Sequence, residues 1–342
     1  MTQLLTQRDV ARLLDARLAI KTVHEAFVAM ARGETVMPSK IYLPLPGGND
    51  FRAMPAFIRT PSACGVKWVN VHPKNPRRGL PTVMALIVIN DPATGVPLAV
   101  MDGLLITKLR TAAAGAVAAR ALARAESRVV GLVGCGAQAD AQIVALANVL
   151  TLAQVRVWGH ASDEARRFCR RMARQLPRIR FEPVATVKQC VASADVVVTI
   201  TPSHRPLVKR AWIAPGTHIN AIGADAPGKQ ELDPRILQQA LVVVDEREQA
   251  VHGGEINVPV SRGAFSPRQI HASLGDILIG RKRGRRTEQE ITVFDSTGLA
   301  IHDIALGFAA LRKAERAHLG QRIAWFEPPH QPVLPHRSGH NR

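Results

Sequence analysis

The run VVGLVGCGAQA, residues 129–139, places Gly134, Gly136 and Ala139 in G-x-G-x-x-A spacing. A strand-like stretch precedes it and a helix-like stretch follows. The first glycine permits a tight turn, and the second lets backbone approach a pyrophosphate. The small third residue lets helix pack on strand, and the helix N-terminus favours an anion. In that context the loop reads as a dinucleotide site. NAD normally has its ribose 2′-hydroxyl held by a carboxylate about 20 positions on. Here the second strand ends at Trp158-Gly159-His160, and Asp163 and Glu164 fall in the next helix's first turn. His160 and Arg166 are placed to face a 2′-phosphate instead. This tilts the cofactor expectation, NAD(P), towards NADP or dual use; the alternative is that the arginines simply face water.

Three further residues have types suited to binding and proton transfer. Arg52, in FRAMPA, carries a guanidinium that grips two carboxylate oxygens at once. Without further information a surface arginine on a strand is the plainer reading. Lys67, in GVKWVNV, sits inside an apolar strand. It either snorkels or functions, and burial lowers a lysine pKa towards a useful range. Asp225, in IGADAPGK, follows a predicted parallel strand, where doubly wound sheets place ligands. A helix cap or turn is the plainer alternative.

The elements that must position these residues divide into two regimes. Residues 6–33 have apolar positions at helical spacing, ending at Gly33. Residues 38–100 alternate short apolar stretches with turn chemistry, which predicts mostly antiparallel strands. The Ala-rich segment 107–124 is strongly helix-forming. From 126 to 300, RVVGLVG, QVRVWG, DVVVTIT, THINAIG and LVVVD are nearly continuous β-branched runs. Helical segments lie between several of them, as in a parallel sheet buried on both faces. A loop helix is expected over 139–150, and a long amphipathic helix over 298–320 that crosses back to the first region. The tail from Glu327 is Pro- and His-rich and is expected to be disordered.

The 342 residues suggest about two domains. With 46% hydrophobic and 21% charged residues, a disordered or fibrous chain is excluded. No apolar run approaches the roughly 20 residues that span a bilayer, and the first residues offer no secretory segment. The four cysteines are scattered, with no C-x-x-C pair. No disulfide framework or metal site is expected, and a cytoplasmic location is the default. Net charge is +18, but much of it is local, in a run over 281–286 and along one helix over 166–174. Aromatics are only 4%, which leaves little to stack on bases, so nucleic acid is not an expected partner. A solvated Arg-rich surface is the reading adopted.

Longer strings occur in an informative order: FRAMPA, KWVNVHPKNPRRGLPTVMALIVINDPATGVPLAVMDG, LRTAAAG, GCGAQA, TITPS, GTHINAIGADAPGKQELD, HGGEI and FDSTGLAIHDIA. Together, over about residues 5–325, they resemble the ornithine cyclodeaminase/μ-crystallin family, and within it the archaeal-type alanine dehydrogenases. The resemblance implies an α/β protein: a Rossmann-type doubly wound parallel sheet domain plus an α+β substrate and dimerisation domain. Residues 1–115, completed by a C-terminal helix at 301–326, would form the substrate part. Residues 116–300 would bind NAD(P), and 327–342 would be a disordered tail. Family members are typically homodimers, with the active site between the two parts.

By the same resemblance Lys67 is the active-site lysine, expected to touch the substrate's carboxylate or carbonyl oxygen and to exchange the proton. Arg52 holds the substrate carboxylate, and Asp225 activates water or stabilises an iminium. Lys40 aligns with a further substrate-side cation. Arg110 and Thr111 contact cofactor phosphates, and Ala137 and Gln138 touch the pyrophosphate. Thr201, Pro202, Ser203, Lys229 and Ser296 lie on the cofactor side. Cyclodeaminases carry an acid where this chain has Arg52, to recognise a distal amine. An arginine repels that ammonium and favours a small uncharged substrate such as L-alanine. Cyclic imines such as Δ1-pyrroline-2-carboxylate remain compatible, cyclodeaminase chemistry is the third reading, and a cofactor-binding μ-crystallin-like protein is the reading from another class.

Overall fold

The computed structural model describes residues 1–325, so the tail expected from residue 327 lies outside the described residues. Strand β1 (Thr2–Leu5) leads into helices α1 (Gln7–Leu13) and α2 (Ala16–Ala31). The Thr6 and Asp15 side chains accept from the backbone N–H groups of Asp9 and Leu18 and start the two helices. That second cap divides the helical region expected at 6–33.

Six strands follow: β2 (Thr35–Val36), β3 (Ile41–Leu45), β4 (Asn49–Ile58), β5 (Ala63–Val71), β6 (Val83–Asn90) and β7 (Pro97–Asp102). Strands β3 to β7 pair antiparallel in sequence order, and β1 lies parallel to β7. Side chains alternate across such a sheet. One face therefore collects Arg52, Met54, Ala56 and Ile58 of β4 with Ala63, Lys67 and Val69 of β5, all buried. The other face presents Ile41, Leu43, Trp68 and Leu86, which are 62%, 50%, 43% and 53% exposed.

Helix α3 (Leu104–Leu122) joins this sheet to the next. Its small residues allow close approach. A Cβ on Gly115 would lie 2.8 Å from Gln142 Oε1, and the Gly115 carbonyl accepts from Asn220 Nδ2 at 3.0 Å. The helix runs unbroken through residue 115, so the chain passes between the sheets inside a helix.

The second sheet is built from β8 (Val129–Val133), α4 (Ala139–Leu146), β9 (Gln154–Trp158), α5 (Ser162–Gln175), β10 (Arg180–Pro183), α6 (Val187–Val191) and β11 (Val196–Thr199). It continues through β13 (His218–Ala221), α7 (Pro234–Gln239), β15 (Leu241–Val244), α8 (Arg247–Gly253), α9 (Asn257–Ser261), β16 (Ala272–Ser273), α10 (Leu274–Leu278) and β17 (Thr292–Asp295). A separate two-stranded pair, β12 (His204–Val208) and β14 (Gln230–Leu232), stands beside it. The order is β10-β9-β8-β11-β13-β17-β15-β16 with every pairing parallel. This is the expected doubly wound sheet, and its order reverses between β8 and β11, where such sheets bind ligands. Helix α4 stops at Leu146 rather than 150, because Asn148 and Val149 hydrogen-bond three residues back and turn the chain into β9.

Helix α11 (Ala300–Ala317) returns across α2, β4, β5 and β6. It ends at His318, in the left-handed region with φ 53°, and β18 (Gln321–Ile323) then pairs with β1. The helix expected to continue to 326 is thus cut short by a reversal. The arginine run also departs from a purely solvated surface. Arg285 donates to the carbonyls of Leu122 at 2.7 Å and Gly216 at 3.0 Å, tying the loop before β17 to the end of α3 and the turn before β13.

Candidate active site

A cavity of about 240 Å³ lies between the inner face of the first sheet and the carboxyl ends of the second. Lys40, Arg52, Lys67, Arg110, Thr111, Gln138, Thr201, Pro202, Asp225, Lys229 and Ser296 all line it. Residues from both sheets thus meet in one cleft.

On the first sheet, Lys67 is 1% exposed and donates to Asp303 at 2.6 Å, with Thr107 Oγ1 at 3.4 Å. Burial, reinforced by the Arg110 charge and opposed by Asp303, lowers its pKa to about 7. Lys40 donates to the Thr297 carbonyl at 2.6 Å, and burial lowers it to about 8. Arg52 is held by two carboxylates: Nε and one terminal nitrogen reach Asp50 at 3.0 Å each, and the other reaches Asp225 at 2.9 Å. Its guanidinium also stacks over Tyr42, 5.1 Å from the ring centroid. Asp225 accepts from Lys229 at 2.5 Å. Although burial raises its carboxyl, Lys229, Arg52 and Lys40 outweigh that and hold it well below the usual carboxylate range. It is a permanent anion at neutral pH, suited to stabilising positive charge and orienting water rather than to storing a proton.

On the second sheet, Gly134 has φ +107°, and a Cβ there would lie 2.8 Å from the Ile200 carbonyl oxygen. Only glycine fits that turn. The space above Gly136 is open, Ala137 is exposed, and the Gln138 side chain, whose amide nitrogen can donate, lines the cavity. These features, at the start of α4, fit a dinucleotide phosphate. Arg110 uses Nε to reach Asp303 at 3.1 Å, and its terminal nitrogens lie beside Gly298 in the cleft. Thr111 donates its hydroxyl to the Thr107 carbonyl. Thr201 gives its N–H and hydroxyl to buried Glu231, both at 2.7 Å, which fixes the loop after β11. The Ser296 hydroxyl is within 3.4 Å of Asp245.

Some named residues stand apart from the cavity. Ser203 bonds the Arg205 carbonyl at 2.7 Å, and Gly159 is packed against Cys135 at the end of β9. His160 is exposed, and Arg166 pairs with Asp163 at 3.1 Å. Sequence reasoning missed Asp50, Asp303, Glu231 and Asp245. Asp303 carried a signal in FDSTGLAIHDIA: an acid beside a histidine on an otherwise apolar helix face.

Similarity to known proteins agrees with this architecture. A solved archaeal alanine dehydrogenase dimer with bound NAD superposes with TM-score 0.91 at 46% identity, covering 95% of this chain and 99% of that one. The Δ1-pyrroline-2-carboxylate reductase of Thermococcus litoralis, in complex with NADH and L-proline, gives TM-score 0.92 at 33% identity, covering 94% and 100%. The fold and cleft are those of a Rossmann-type NAD(P)-dependent oxidoreductase. The alanine dehydrogenase of Archaeoglobus fulgidus is 47% identical over 325 residues, covering 95% of this chain and 99% of the relative. The ornithine cyclodeaminase/mu-crystallin family model matches residues 1–314, and the chain belongs to that family.

Proposed function

We propose that the protein interconverts L-alanine and water with pyruvate and ammonium, using NAD(P). The observation that carries this reading is Arg52, Lys67 and Asp225 in one small cleft beside the glycine loop, in a chain 47% identical to an alanine dehydrogenase. A bound nicotinamide supplies the hydride acceptor in oxidation and the donor in reduction. Arg52 keeps two N–H donors beyond those given to Asp50 and Asp225, and these bind the α-carboxylate. Lys67, as a neutral amine, accepts the proton leaving the α-ammonium, and as an ammonium it returns one in the reverse direction. Asp225 stabilises the iminium and orients the water that releases ammonia. Arg110, Thr111, Ala137 and Gln138 hold the cofactor phosphates. Gly134, Gly136, Gly159, His160, Thr201, Pro202, Ser203, Lys229 and Ser296 complete the cofactor side.

A second reading is reduction of a cyclic imine such as Δ1-pyrroline-2-carboxylate, favoured by the 0.92 match to a reductase with bound L-proline. It needs the same carboxylate grip and hydride without ammonia release. Absorbance at 340 nm separates the two. Pyruvate turnover that requires ammonium is the expected result, and turnover of the cyclic imine alone would replace the first reading with the second. Running each with NADH and NADPH tests the cofactor. Use of both, tilted to NADPH, is expected because β9 ends without a carboxylate.

Residues 1–115 with α11 form the substrate and dimerisation part in this reading, and 116–300 the cofactor part. Homodimerisation through the first sheet's outer face is supported by exposed Ile41, Leu43, Trp68 and Leu86, and the archaeal relative is a dimer. Sedimentation is expected to give twice the chain mass of 37.1 kDa, and Leu86→Glu to give the monomer. A monomeric parent protein would remove this interface. Four free cysteines suit the reducing cytoplasm, and no helix among the described residues is long and apolar enough to cross a membrane.

A further inference from the structure

We propose that Asp303 is the positioning residue of the cleft: one buried carboxylate that orients Lys67 and Arg110 together and keeps Lys67 able to carry a proton near neutral pH. The proposal rests on the reading of Lys67 as the proton carrier. Asp303 is fully buried in the first turn of α11 and is not itself among the cavity-lining residues. Oδ2 takes Lys67 Nζ at 2.6 Å, and Oδ1 takes Arg110 Nε at 3.1 Å. Each cation is thereby fixed from behind, with its remaining donors left for the cleft.

The charges around Lys67 explain why a carboxylate is needed there. Arg110 on α3 and Lys40 before β3 both repel its ammonium, and burial does the same. His302 on α11 is buried and neutral, since burial lowers it to about 3. Asp303 is the anion that bonds Lys67, and Thr107 is its neutral partner. Burial raises the Asp303 carboxyl, but Arg110 and Lys67 more than reverse this, and the N-terminal turn of α11 also favours the anion. Asp303 therefore stays charged while Lys67 titrates. Without that anion, the uncompensated cations drive Lys67 to its neutral form at a lower pH. Reductive turnover, which needs a lysine ammonium as donor, then fails at a lower pH.

The test is the pH profile of kcat/KM for pyruvate at saturating ammonium and NADH, in the parent protein, Asp303→Asn and Asp303→Glu. Losing an opposite charge at this range shifts a pKa by about 1–3 units. In Asp303→Asn the alkaline fall is expected to move at least about one unit towards acid. For a fall near pH 7 in the parent moved by one unit, the loss at pH 8 then exceeds the loss at pH 6 about fivefold. Asp303→Glu restores the position of the fall even if the rate stays lower. Parallel profiles for the parent and Asp303→Asn would overturn the proposal, because a merely structural loss scales all pH values alike. If Asp303→Asn does not fold, Asp303→Ser, which also removes the charge, is read in its place. A fall moved to acid supports the proposal, and a profile parallel to the parent's overturns it. Lys67→Met separates the two layers. Full turnover in that variant removes the lysine reading and this proposal with it. An inactive Lys67→Met beside an unaltered Asp303→Asn removes this proposal alone.

Discussion

Lys67→Met is expected to lower turnover about 10²- to 10⁴-fold in both directions, the usual span for removing a general acid–base group. Methionine nearly preserves the volume of a side chain that is 1% exposed, so packing survives while the titrating nitrogen is lost. NADH binding, followed by fluorescence, should change little, because the phosphate-side groups are intact. The parent protein supplies the matching pH signature. With Lys67 lowered to about 7, its neutral amine is the minor form below that pH and the major form above it. Alanine oxidation should rise as pH climbs through about 7, and the lysine-dependent part of reduction should fall over the same interval. Near-normal turnover of Lys67→Met would take the lysine out of the mechanism.

Arg52→Leu is expected to cut kcat/KM for pyruvate about 100- to 1,000-fold, mostly through KM. Truncating one partner of a buried, hydrogen-bonded charge pair costs about 2–5 kcal/mol, and each 1.4 kcal/mol is tenfold. The loss has two sources here. The substrate carboxylate loses its planar, two-pronged partner. Asp50 and Asp225 lose the cation that both contact, although Lys229 still holds Asp225 at 2.5 Å. Arg52→Lys keeps the charge without the fork and should recover only part of the loss. Measured KM for pyruvate that stays within about threefold of the parent value in Arg52→Leu would assign the carboxylate to other cations of the cleft, Lys40 first.

Much of the site was legible because its signals are local. The glycine loop needs only a strand, three small residues and a helix within eleven consecutive positions, and β8 and α4 begin where those residues place them. Lys67 stood out because a lysine inside an apolar strand is unusual; that it shares a face with Arg52 depends on the β4–β5 register, which sets Met54 opposite Lys67 and Arg52 opposite Val69. The helix ends were less legible. Leu146 ends its helix four residues before the expected point, and nothing in the alanine-rich stretch marks it, whereas α11 ends at Ala317, close to the Gly320 that stops the expected helix over 298–320.

Local pattern thus determined the parallel sheet and the nucleotide loop, since these depend on backbone geometry over a few residues. The partners of the charges were decided only in three dimensions. Arg52 and Asp225 are 173 positions apart, and Lys67 and Asp303 are 236 apart. Whether such groups pair, and which way burial and neighbouring charge push their protons, depends on separation through space and exclusion of water. Arg285 makes the same point: five basic residues within six positions look alike in sequence, yet packing turns this one inward to bind carbonyls of α3 and of the turn before β13.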